Sequence, residues 1–160
     1  MATWQELARE APDFADRVRE RFDAGTNKTL ATLRRDGSPR ISGTELRIAD
    51  GQVTLGMMAG SVKLADVRRD RRVAIHSPTL EPPPGDPGAW LGEAKLAGLL
   101  VDLIDGEAGP DTPPDAASFR LDITEAVLTY VTNSRPDGPV DLLVVESWHP
   151  GIGHRRRARA

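Results

Sequence analysis

The chain of 160 residues contains no cysteine, which excludes a disulfide framework, a cysteine nucleophile and any thiolate metal site. Aromatic residues make up only 4% of it, with a single Tyr, so the series of stacking platforms that single-stranded nucleic acids use is missing. Positive charge is not in excess either. Lys plus Arg number 21 against 24 Asp plus Glu, for a net charge of -3, and nucleic acid is therefore not an expected partner. No apolar run is long: Leu142–Val145 is far too short to span a membrane. Residues 1–25 alternate acidic, basic and apolar side chains and lack the apolar core of a secretion signal. There is no GxGxxG fingerprint, Walker loop or HExxH motif, and no repeat with a period of 20–50 residues. These absences lead to the expectation of a cytoplasmic protein in a reducing compartment.

What is present is a core-forming domain rich in turns, with 15 Gly and 13 Pro. Thr3 followed by Glu6 predicts a capping box. Beyond it Trp4, Leu7, Ala11, Phe14, Val18 and Phe22 recur at spacings of three and four, the pattern of a helix with one packing face. Pro12 predicts a bend or a second helix start. From Thr29 the period changes to two, and Asp36-Gly37 and Asp50-Gly51 mark hairpin turns between three strands. Val62, Leu64, Ala65 and Val67 offer the face of a short helix, and Arg72–His76 is extended. Pro78, Pro82, Pro83, Pro84 and Pro87 then predict a loop. Later strands are expected at 93–101, 119–123, 126–131 and 140–148, with an acidic, Pro-containing segment at 102–115. Antiparallel pairing of such strands around peripheral helices makes a small barrel.

Arg40 beside the second strand and Lys63 at a helix start could together hold a phosphate. Arg makes two directed hydrogen bonds to phosphate oxygens, Lys supplies a point charge, and Ser61 and free helix amides face the same anion. The same residues also read as ordinary surface charge. Ser42 and Thr44 add hydroxyls, and Thr54–Met58 offers backbone amides and an apolar wall for a planar cofactor. Met57 and Met58 must point opposite ways from a regular strand, so one packs inward.

The stretch ATLRRDGSPRISGTELRIADGQVTLGMMAGSVKLADVRRDRRVAIHS resembles the N-terminal half of the pyridoxamine 5'-phosphate oxidase-like, FMN-binding split-barrel family. The resemblance lies in the order of a DG hairpin, a basic strand, a second DG hairpin, Ser-x-Lys and RRDRRVAIHS. It implies a six-stranded antiparallel split barrel, mainly β with peripheral helices, in which residues 1–154 are a single flavin-binding domain and 155–160 a basic tail. By resemblance Arg40, Ser61 and Lys63 meet the cofactor phosphate, while Ser42, Gly56 and Met57 approach the flavin ring or its ribityl chain. Trp148 matches a strand that approaches the flavin across a dimer interface, with Arg155–Arg157 as the nearby basic residues. Glu45 and Val62 stand where the oxidase pattern carries Lys and Arg, which removes two cations that would bind cofactor or a phosphorylated substrate.

The resemblance therefore implies a homodimeric, FMN-dependent oxidoreductase acting on an unidentified small organic molecule, with no catalytic side chain assigned. An 8-hydroxy-5-deazaflavin reductase and a non-enzymatic flavin- or haem-binding protein are the alternatives. His76 is expected to be partly buried at a strand end. His149 and His154 lack the neighbours that would specify a metal site.

Overall fold

A computed structural model describes residues 1–103, 116–133 and 141–159. The capping box forms as its spacing requires: the Glu6 amide donates to the Thr3 hydroxyl at 3.2 Å, and the Thr3 amide donates to the Glu6 carboxylate at 2.7 Å. Helix α1 covers Trp4–Glu10, and α2 covers Pro12–Asp23 with Pro12 in its first turn, where a missing amide proton costs no hydrogen bond. All six residues of the predicted stripe are buried.

Nine strands are described, where periodicity predicts eight and the resemblance implies a barrel of six: β1 Lys28–Leu33, β2 Pro39–Thr44, β3 Arg47–Ala49, β4 Gln52–Met57, β5 Arg72–His76, β6 Glu93–Asp102, β7 Ala117–Asn133, β8 Asp141–His149 and β9 Gly153–Arg159. Helix α3, Val62–Arg69, joins β4 to β5, and all the strand pairs are antiparallel. The strand order is β2-β1-β5-β6-β7-β4-β3, with β8 on β7 and β9 on β8. Both DG turns form hairpins. The expected second strand nevertheless ends at Thr44, and β3 restarts at Arg47 beside β4, at the opposite end of the order from β2.

Two later strands merge into one. Residues 119–123 and 126–131 belong to the single strand β7, because a bulge absorbs Thr124: Ala97 faces Glu125, and the next residue, Gly98, faces Ile123. One edge of β7 carries β6; the other carries β4 on residues 117–120 and β8 on residues 126–133. Between β4 and β8 the edge would be open. Ala2 occupies the gap, exchanging backbone hydrogen bonds with Ile123 at 3.0 and 2.7 Å. The basic tail also differs from expectation, since Arg155–Arg159 pair with β8. Most of the acidic segment, residues 104–115, lies outside the described residues.

Glu146 is buried within β8, an acid inside an apolar run. Arg17 of α2 donates to both of its oxygens at 2.8 Å, the Tyr130 hydroxyl of β7 donates at 2.8 Å, and His154 Nε2 of β9 lies 2.7 Å away. One carboxylate thus ties a helix to three strands. Burial alone would raise its pKa; the Arg17 guanidinium, with the Tyr130 and His154 hydrogen bonds, outweighs burial and holds it at about 2. A carboxyl depressed in the folded state stabilises the fold above its unfolded pKa and loses that contribution as pH falls through the folded value. Glu146→Gln should accordingly remove part of the loss of stability between about pH 4.5 and about 2, read as a flatter dependence of the urea midpoint on pH across that window.

Candidate functional site

Helix α3 starts at Ser61, whose hydroxyl accepts from the Leu64 amide at 3.4 Å. Its inward face is only in part the apolar one expected from spacing: Val67 is buried and Leu64 packs against the core, but Val62 is 58% exposed and Asp66 is buried beside Val67. Asp66 turns inward because three donors meet it. Arg40 Nε of β2 lies at 2.6 Å, the Thr32 hydroxyl of β1 at 2.9 Å and the Arg69 guanidinium at 2.9 Å. Burial pushes the Asp66 carboxyl up, but these donors overcome it and hold the group at about 2.

Two open clefts flank α3. The first, about 560 Å³, is lined by Arg34, Arg35, Arg40 and Arg69 together with Val62 and Ala65. The second, about 520 Å³, is lined by Gly43 and Thr44 of β2, Gly56 and Met57 of β4, Lys63 of α3 and Ser118 of β7, with Glu45 and Arg47 beside them. Gly43 and Gly56 are exposed glycines near the ends of β2 and β4, and a Cβ added at either would meet nothing within 4 Å. Bare backbone at both positions leaves room for a flat ligand to approach closely. Met57 is buried and Met58 is 72% exposed, so the pair splits as alternation requires.

The residues singled out by sequence divide between these surfaces. Arg40 lines the first cleft with its Nε engaged by Asp66. Gly56, Met57 and Lys63 line the second, where Lys63 Nζ donates to the Gly43 carbonyl at 2.6 Å. Ser61 caps α3 between them. Ser42 is half-buried opposite Leu30 and lines neither cleft. Trp148 belongs to the core instead: with Val144 and Glu146 it shares the inward face of β8, it is fully buried, and its indole N–H donates to Glu10 at 3.0 Å.

Asp66 and Ser118 were not singled out. Asp66 was legible only as a lone acid within a basic helix, and Ser118 reaches the cleft because β4 pairs with β7, where Gly56 faces Ser118. The histidines sit apart from both clefts, His76 half-buried with Nε2 3.1 Å from Glu93 and His149 3.6 Å from Glu125. Among the described residues no group of three or more His, Asp or Glu side chains is placed to hold a metal ion.

No protein-family model and no curated protein matches the sequence. Solved structures do share its fold. A pyridoxamine 5'-phosphate oxidase-related, FMN-binding protein from Nostoc punctiforme superposes with a TM-score of 0.59 at 13% identity, covering 98% of this chain and 99% of that one. A heme binding protein from Mycobacterium smegmatis gives 0.53 at 13% identity, over 99% of this chain and 88% of that one. A conserved hypothetical protein from Mycobacterium tuberculosis gives 0.54 at 19%, over 69% and 81%. The chain has the mainly antiparallel split-barrel fold of these proteins.

The geometry separates structural from ligand-facing positions. Asp66→Asn should lower the thermal midpoint by several degrees, because it removes the buried charge that Arg40, Arg69 and the Thr32 hydroxyl answer. Gly56→Val should leave the midpoint within about 2 °C of the parent, since the side chain enters open space on a strand that accepts β-branching. Differential scanning fluorimetry of the two variants checks both.

Proposed function

We propose that this chain, which folds as the pyridoxamine 5'-phosphate oxidase-related split barrels do, binds a flavin in the second cleft and is an FMN-dependent oxidoreductase acting on a small organic molecule. The observation that carries the reading is the bare backbone at Gly43 and Gly56 on the wall of a 520 Å³ cleft that also holds a lysine. That volume falls in the range of sites for cofactor-sized ligands. Residues 1–154 act in this reading as one flavin-binding domain.

The glycine wall admits one face of a ring system, the hydroxyls of Thr44 and Ser118 hydrogen-bond polar atoms along its edge, and Met58 supplies an apolar cover. Lys63 and the free amides of the first turn of α3 balance a phosphate. Arg40 lines the other cleft, so it serves the site by holding Asp66 and with it the orientation of α3. When bound, the flavin supplies two-electron transfer, so no protein nucleophile is required. Glu45 beside the cleft repels a second phosphate, which favours substrates that carry none. Ile41, Met58 and Val62 are large exposed apolar residues on or beside the elements that form the clefts, and a second copy of the chain covers them in a homodimer.

The solved heme binding protein with the same fold motivates a haem alternative. No histidine lines the second cleft, which leaves haem without its commonest axial ligand there. An 8-hydroxy-5-deazaflavin meets the same wall and cation as FMN.

Native mass spectrometry of gently purified protein, with the absorbance spectrum of whatever denaturation releases, tests the proposal. One FMN per chain is the expected result, and Lys63→Gln should weaken FMN uptake about tenfold in a fluorescence titration. A deazaflavin would redirect assays to reductase substrates. Failure to take up either flavin would overturn the reading.

A further inference from the structure

Strand β9 lies at the edge of the sheet and, among the described residues, is paired on one side only, by β8. Alternate backbone N–H and C=O groups along such an edge point away from the sheet and can pair with another extended chain. Natural edges are often blunted by charge. Here the charge is ordered. Arg155, Arg157 and Arg159 share one face of β9, about 6.8 Å apart at the usual strand rise, and all three are exposed. Arg156 faces the other way, in register with Glu146.

The three arginines border a cleft of about 430 Å³ whose floor is Val127 of β7 with Leu143 and Val145 of β8. Among the described residues none of the three forms an ion pair. Glu125 closes one end of the cleft beside His149. The free main-chain edge of β9 thus carries positive charge at every second residue of one face, and the apolar floor lies on the β8 side of that strand.

We propose that β9 binds an extended peptide carrying carboxylates at alternate positions, which adds as a further strand. Same-face side chains of an added strand repeat at the interval of the arginines, so i, i+2 and i+4 carboxylates each meet one guanidinium across the pair. The main chain of the peptide satisfies the edge of β9 at the same time. A single-stranded nucleic acid could meet the charges but not the backbone edge, and no Phe, Tyr or Trp lines the cleft to stack a base. Within one chain this surface is separate from the clefts beside α3.

The probe is a fluorescein-labelled peptide of three Asp-Val repeats, titrated with the full chain at low salt and followed by anisotropy. Saturable binding is expected. It should weaken about tenfold in the triple variant Arg155→Gln/Arg157→Gln/Arg159→Gln, and persist when the exposed Arg9 in the last turn of α1 and Arg34 and Arg35 of the first hairpin turn are neutralised instead. In the parent protein, N-methylation of alternate amides on the pairing edge of the peptide should abolish binding, a test that holds even where the triple variant fails to fold. Equal binding by a peptide with its three aspartates contiguous, or indifference to N-methylation, would overturn the strand-addition geometry. Tighter binding of an oligothymidine of equal charge would overturn the peptide assignment. Absence of peptide binding, with sedimentation showing a dimer that the triple variant dissociates, would assign the face to a second copy and overturn it as well.

Discussion

The region around the two clefts depends on one buried carboxylate. Asp66 gathers a hydroxyl from β1, a guanidinium from β2 and another from its own helix, and so fixes α3 across the first hairpin. A buried ionised acid is tolerated only when its charge and lone pairs are answered, and here the answering groups come from three elements. The orientation of α3 decides which residues face which cleft: Val62, Ala65 and Arg69 on one side, Lys63 on the other. Arg40 is consequently both a strut and a cleft wall, and its effect on a ligand cannot be separated from its effect on the helix.

Glu146 has the same role at the far side of the sheet, joining α2 to β7, β8 and β9. Each carboxylate is answered by arginine and by a hydroxyl. Both join elements remote in sequence, which suits a chain with few aromatics, because directed hydrogen bonds supply the specificity that shape-matched rings supply elsewhere. The cores differ in kind from the clefts. Phe14, Phe22, Phe119 and Trp148 are spent on packing, and the second cleft is walled by glycine, methionine and hydroxyl residues instead.

Local features were legible in the sequence and nonlocal ones were not. The capping box, the Pro12 break, the apolar stripe and both DG turns rest on neighbours a few residues apart, and each is present in the structure. Which strand pairs with which is settled by contacts between distant segments. That is why β4 lies on β7 rather than in a meander with β2. The bulge at Thr124 hid the continuity of β7, since an extra residue shifts the period-two pattern by one and reads as a strand end. Trp148 shows the complementary failure: alternation along β8 places it on the same face as Val144, and that face is the core. Lys63, Gly56 and Met57 do line one cleft, whereas Arg40 lines its neighbour.

The seam along β7 has a consequence for the order of assembly. Ala2 fills the interval between β4 and β8 by pairing with Ile123, so this segment is made long before β7, the strand it pairs with. Until then the capped helix behind Ala2 can form locally, but its apolar face has no sheet to rest on. The contact that closes the sheet is thus among the most distant in sequence, and its loop-closure entropy places it late in folding.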